Sequence, residues 1–74
     1  MKVKISKRAL IQRINRALVK ENEMLRKARG IQMFLDVGDY FTINIKRNYI
    51  TRSNIDPENL GRELEVLKPY EEVI

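Results

Sequence analysis

The chain has 74 residues, of which 43% are hydrophobic and 34% charged, and its formal net charge is +5. This composition is typical of one small globular domain over residues 1–74 and excludes wholesale disorder. No apolar run is long enough to span a bilayer, and residues 1–7 lack the apolar block of a secretory signal, so we expect a cytoplasmic protein with no membrane role. The absence of cysteine and histidine excludes a disulfide scaffold and the usual zinc sites, and it removes the commonest general base.

A long amphipathic helix is predicted over residues 6–29. Ser6 suits the N-cap, because its hydroxyl can accept a hydrogen bond from a free amide of the first turn, and Gly30 suits the end, because it tolerates positive φ. The segment 1–5 before the helix is either a short edge strand or a loose arm. Apolar residues recur through the helix at steps of three, four and seven, the spacing of one helical face: Leu10, Ile14, Ala17, Leu18, Leu25 and Ala28.

The same helix carries a row of cations beside its apolar face. At roughly 100° per residue, four of them fall within about 60° of one another: Arg13, Arg16, Lys20 and Lys27. Such a row can meet successive phosphates and gain free energy by releasing condensed counterions, but it is equally typical of an ordinary solvated face. Glu21 falls inside the apolar face, where it either reaches water or a neighbouring cation, or is held against a second chain.

Three strands rich in β-branched and aromatic residues are predicted after this helix, over residues 31–37, 40–46 and 49–53. Gly38-Asp39 is interpreted as a two-residue hairpin turn between the first and second of these strands. The next turn lies at Arg47-Asn48, where asparagine tolerates the left-handed conformation that such turns need. This places Lys46 and Arg47 at a hairpin tip.

The strongest local boundary signal is Asp56-Pro57-Glu58, in which Asp caps a helix, Pro takes its first position and Glu complements its dipole. Leucines spaced for one helical face follow until Pro69, and residues 70–74 form a tail without a structural period. The predicted fold class is therefore α+β: a long N-terminal helix, a three-stranded antiparallel meander and a short C-terminal helix, with both helices on one face of the sheet.

The sequence contains no catalytic signature, so we predict a protein that is not an enzyme and has no cofactor or bound metal. Its serines and threonines have no histidine to act as base, and its isolated glycines match neither a phosphate-binding loop nor a dinucleotide fingerprint. Asp36 and Asp39 are too few oxygen ligands for a cation site. Tyr40 and Tyr49 lie beside turns, where they either stack on bases or pack at strand edges.

The order of helix, three antiparallel strands and helix resembles the double-stranded-RNA-binding domain. That resemblance implies topology alone, because residues 56–63, where that family carries a basic cluster, read DPENLGRE and are acidic. Most of the chain also resembles short uncharacterised bacterial proteins, which are similar in three segments: ALIQRINR at 9–16, GDY at 38–40 and LGREL at 60–64. The second resemblance implies a stand-alone bacterial protein of mobile-element or integron gene-cassette origin, and it implies no activity.

These observations predict a small accessory protein that binds RNA or DNA. The predicted phosphate contacts are the four helical cations Arg13, Arg16, Lys20 and Lys27, together with Lys46 and Arg47 from the hairpin turn. The alternative is a protein-interaction module or homodimer without a nucleic-acid role, whose interface includes Ile11, Leu18 and Glu21. A chain of this size buries a modest core, which favours the alternative because association adds stability.

Overall fold

The computed structural model describes residues 2–74, and Met1, which belongs to the predicted strand or arm, lies outside that part of the chain. The helices are α1 (Lys7–Leu18), which continues into a 3₁₀ turn (Val19–Glu21), α2 (Gly30–Val37) and α3 (Pro57–Glu63). The strands are β1 (Val3–Ile5), β2 (Glu23–Lys27), β3 (Tyr40–Asn44), β4 (Tyr49–Arg52) and β5 (Glu71–Val73). Strands β2, β3 and β4 form an antiparallel sheet in that order, while β1 and β5 form a parallel pair. The predicted α+β fold class is confirmed.

The first helix begins where predicted but ends earlier. The Ser6 hydroxyl accepts a hydrogen bond from the Ala9 amide at 3.1 Å, as an N-cap does. Asn22 then adopts the left-handed conformation, with φ of 60°, which an α-helix cannot continue through. The prediction that residues 23–29 are helical is therefore wrong, because the chain turns at Asn22 and returns as β2.

Residues 31–37 form helix α2 and not the predicted first strand. Only Ile31 and Val37 of this segment are branched at Cβ, and the residues between them include good helix formers, Gln32, Met33 and Leu35. Strand β2 pairs with β3 in the position that was predicted for residues 31–37. The predicted hairpin through Gly38-Asp39 is consequently wrong: Gly38 ends α2 with φ of 79°, and a Cβ added there would collide with Asn54.

The second half of the chain follows the prediction more closely. Strands β3 and β4 lie within the predicted segments, and Asn48 between them has φ of 57°, as its turn requires. The Asp56 carboxylate caps α3 by accepting a hydrogen bond from the Glu58 amide at 3.1 Å. Helix α3 stops before the predicted Pro69, since Glu65 adopts a positive φ of 61°. The two terminal segments pair with each other, Val3 with Glu71 and Ile5 with Val73, so both are strands.

The hydrophobic core lies between one face of the sheet and the helices α1 and α3. Helix α1 buries Leu10, Ile14 and Leu18. These pack with buried residues from the sheet, from α3 and from the segment after it: Leu25, Tyr40, Leu60 and Leu67. Leu25 pairs with Thr42, which shares its face of β3 with Tyr40, so the two helices cover a single face, as predicted.

Candidate nucleic-acid interface

The solvent side of α1 carries a row of polar side chains at four-residue spacing. Arg8, Gln12, Arg16 and Lys20 are all exposed, and the sequence contains no acidic residue before Glu21. From Arg8 to Lys20 the row extends over roughly 18 Å of helix. Because successive members lie about one turn apart, neighbouring side chains of the row lie close together on the exposed side of the helix.

The turn between β3 and β4 lies at the same end of the molecule as Lys20. The Ile45 amide donates a hydrogen bond to the Asn22 carbonyl at 2.8 Å, which fixes this turn beside the end of the 3₁₀ turn. Within the turn, the Arg47 amide donates to the Asn44 side-chain oxygen at 2.8 Å. Exposed cations from these two neighbouring segments therefore lie towards one end of the protein, and we call them the cationic surface: Arg16, Lys20, Lys46 and Arg47.

Arg13 differs from these four cations, because its guanidinium forms hydrogen bonds within the fold. Its Nη1 donates to both carboxylate oxygens of Glu71, at 2.9 and 3.0 Å, and to the Val66 carbonyl at 3.1 Å. Glu71 is buried and also accepts from the Lys68 amide at 2.9 Å. The Lys68 amide and then Arg13 hold the pKa of the Glu71 carboxyl below its usual value, against the opposing effect of burial. The charge of Arg13 is thus compensated within the fold.

Lys27 also lies apart from the other predicted cations. It belongs to β2, where it pairs with Tyr40, while the opposite end of β2 pairs Glu23 with Asn44 near the β3–β4 turn. The predicted grouping of Lys27 with Arg16 and Lys20 assumed a helix through residue 27. Because that segment is a strand, the grouping is wrong for Lys27.

The residues predicted for a partner interface are placed differently from expectation. Leu18 is only 7% exposed and belongs to the core, so it is not available to a second chain. Ile11 is half-buried against the same core. Glu21 is exposed at the end of the 3₁₀ turn, next to Lys20. Its carboxylate can therefore reach water, which is the first of the two interpretations given above.

Some features of this region were not identified from the sequence. A shallow cavity of about 440 Å³ lies beside the row on α1, lined by Arg13, Arg16, Ala17, Lys20, Glu65, Val66 and Lys68. Lys68 adds a cation there that only the folded chain brings close to α1.

The two tyrosines predicted beside turns have different environments. Tyr40 is buried, with the Lys7 ammonium 5.0 Å from its ring centre, whereas Tyr49 is half exposed.

Within residues 2–74, no three acidic residues come together as a metal site would need, and no helix is long and apolar enough to cross a membrane. Comparisons with protein-family models, with curated proteins and with solved structures found no match to this chain.

Proposed function

We propose that this protein is a non-enzymatic accessory protein that binds nucleic acid through the cationic surface. The proposed setting is the bacterial cytoplasm. Cations held at fixed positions on a helix and an adjoining turn gain free energy by replacing the counterions condensed on a phosphate backbone. Binding of this kind depends weakly on base sequence, because phosphates carry no sequence information.

The observation that carries the proposal is that, among residues 2–74, no cation of this surface forms a salt bridge. Three salt bridges occur among residues 2–74, and they engage Arg13, Arg52 and Arg62. None involves a residue of the cationic surface. Since forming a salt bridge is the usual way to neutralise a structural cation, these four charges are available to a polyanion.

The number of cations sets the expected salt dependence. If each of the four meets one phosphate of duplex DNA, the affinity falls about 100-fold between roughly 50 and 200 mM salt. A surface that binds one small anion would show a far weaker dependence.

Fluorescence anisotropy of labelled duplex DNA, duplex RNA and single strands tests the proposal. The variant Arg16→Glu/Lys20→Glu should lose at least about tenfold in affinity at low salt. Its matched control is Arg26→Glu/Lys27→Glu, which changes two exposed cations on β2. Each pair of substitutions changes the net charge by −4, from +5 to +1, so that only position differs.

A larger loss in the α1 variant than in the β2 variant would support the cationic surface. Equal losses would mean that net charge alone governs binding and would contradict the proposed site. No binding of any nucleic acid at low salt would refute the proposed function.

A further inference from the structure

Tyr49 carries a half-exposed aromatic ring beside the turn between β3 and β4. It pairs with Asn44, and Lys46 and Arg47 of the cationic surface lie in the turn between these two residues. Tyr49 is 50% exposed. Burying an aromatic ring lowers the free energy, so an exposed ring next to cations is suited to a ligand that combines negative charge with a flat apolar face.

The register of the sheet places Tyr49 on the face that α1 and α3 cover. Thr42 of β3 pairs with the core residue Leu25. Asn44 lies two residues further along β3, on the same face, and pairs with Tyr49. Since Tyr49 is nevertheless half exposed, the two helices leave much of its side chain uncovered at this end of the sheet.

The end of the 3₁₀ turn lies at the same level of the sheet as Tyr49. Glu23, the first residue of β2, pairs with Asn44, and Asn44 pairs with Tyr49, so the three residues form a row across the sheet, roughly 10 Å long. The half-buried Glu23 carboxylate accepts a hydrogen bond from the Thr51 hydroxyl at 2.9 Å. Lys20 precedes Glu23 by only three residues. Tyr49 therefore lies at the same end of the molecule as the cationic surface.

We propose that the nucleic acid bound at the cationic surface is a single strand, and that Tyr49 stacks on one of its bases. This inference rests on the proposed function and names the form of nucleic acid that the surface selects. A single strand offers the flat faces of its bases to a side chain, whereas in a duplex each base stacks on its neighbours. Cations along the backbone and an aromatic ring for the bases are the two components that sites for single strands combine.

Tyr49 is the aromatic residue whose position suits this role. Tyr40 is buried, and the Lys7 ammonium lies over its ring. Tyr70 is exposed but lies outside the three-stranded sheet, directly before β5. Phe34 is 48% exposed, but it belongs to α2, which joins β2 to β3 at the opposite end of the sheet from the β3–β4 turn. Phe34 is therefore a control of matched exposure at a distant position.

Fluorescence anisotropy at low salt tests the inference with labelled oligothymidine, alone and annealed to its complement. The wild type should bind the single strand more tightly than the duplex. Tyr49→Thr should lose at least about fivefold in affinity for the single strand and less than about twofold for the duplex. The control Phe34→Ala should leave both affinities within about twofold of the wild type.

The choice of variants separates stacking from folding and from charge. Threonine suits a strand as tyrosine does, and alanine is the best helix former, so both substitutions should keep the fold, which circular dichroism checks. Tyr49→Phe keeps a ring that can stack and should bind within about twofold of the wild type. Tyr49→Thr removes no charge, so it should leave the salt dependence unchanged, whereas Arg16→Glu/Lys20→Glu should reduce it.

A loss in Tyr49→Thr no larger than that in Phe34→Ala would overturn the inference, and so would a wild type that binds the duplex as tightly as the single strand. In either case the effect of Arg16→Glu/Lys20→Glu would remain, and the proposed function would stand. If the wild type bound neither form at low salt, the proposed function and this inference would both be refuted.

Discussion

Glu71 is the residue that ties the C-terminal strand to α1. Its carboxylate accepts hydrogen bonds from the Arg13 guanidinium and the Lys68 amide, and these bonds lower its pKa. A carboxyl with a lower pKa in the folded chain stabilises the fold above its unfolded pKa, and that contribution is lost as the pH falls through the folded value. The loss therefore begins as the pH drops below the ordinary value of 4.5.

The variant Glu71→Gln should be less stable than the wild type at neutral pH, because a neutral amide cannot balance the Arg13 charge. It should also lose less stability between about pH 5 and pH 3, since the titrating group is absent. Urea unfolding followed by circular dichroism at pH 7, 5 and 3 measures both effects. Glu72→Gln, the next residue of β5, is the control and should retain the acid sensitivity of the wild type. An unchanged acid sensitivity in Glu71→Gln would contradict the assignment.

At the level of elements, the contact between α1 and α3 is set by Gly61. A Cβ added to Gly61 would lie 2.7 Å from Leu10 Cδ1 and 3.3 Å from Leu67 Cβ. Alanine would gain about 1 kcal/mol of helix propensity, but overpacking a core costs about 1–3 kcal/mol. Leu10 has no exposed surface and cannot move aside, so the steric cost should exceed the propensity gain.

We therefore expect Gly61→Ala to lower the free energy of unfolding by about 1 kcal/mol. Asn59→Ala, at an exposed position of the same helix, should be neutral or slightly stabilising. Urea unfolding of both variants provides the comparison. A Gly61→Ala protein more stable than the wild type would show that α1 and α3 can separate without cost.

The elements that could be predicted from the sequence are those with local signals at their ends. Ser6 and Asp56 each form the capping hydrogen bond expected of them, so the starts of α1 and α3 were identified. The turn asparagine Asn48 likewise marked the boundary between β3 and β4. In each case the determining contact lies within three residues in the sequence.

The end of α1 could not be predicted, because the deciding contacts are tertiary. Leu25 continues the helical period of α1 and is buried, but it is buried from a strand. Its amide donates to the Asn15 side-chain oxygen at 2.7 Å, a bond that forms only after the chain reverses at Asn22. Periodicity alone cannot distinguish these two ways of burying the same leucine.

The candidate site likewise includes residues whose positions follow from local sequence patterns and residues whose positions depend on tertiary contacts. Arg16 and Lys20 are both exposed and follow the helical period, because they lie in α1 and its 3₁₀ turn. Arg13 was grouped with them, but its partner Glu71 is 58 residues away, and no local pattern reveals such a contact. Helix α2 was not predicted, because a short segment with five apolar residues among seven suits a buried strand as well as a helix.

Over the whole molecule, folding redistributes the charges of a chain whose first part is basic and whose last part is acidic. The acidic end returns to α1 and compensates Arg13, while Arg52 and Arg62 pair with Glu63 and Glu58. The cations that form no salt bridge within residues 2–74 include all four residues of the cationic surface. Two exposed acidic residues are placed to oppose polyanion binding at the cationic surface: Glu21, beside Lys20 in the chain, and Glu65, which lines a cavity with Arg16 and Lys20.

The variant Glu21→Gln should therefore bind nucleic acid more tightly, by about two- to threefold at low salt, because one repulsive charge is removed. The gain should shrink at higher salt, as screening weakens the original repulsion. Asp39→Asn is the matched control: it is also exposed, lies at the opposite end of β3, and takes the net charge from +5 to +6, as Glu21→Gln does. Anisotropy titrations of both variants compare the two positions. A gain confined to Glu21→Gln would locate the polyanion at the cationic surface, whereas equal gains would show that it responds only to the net charge of the protein.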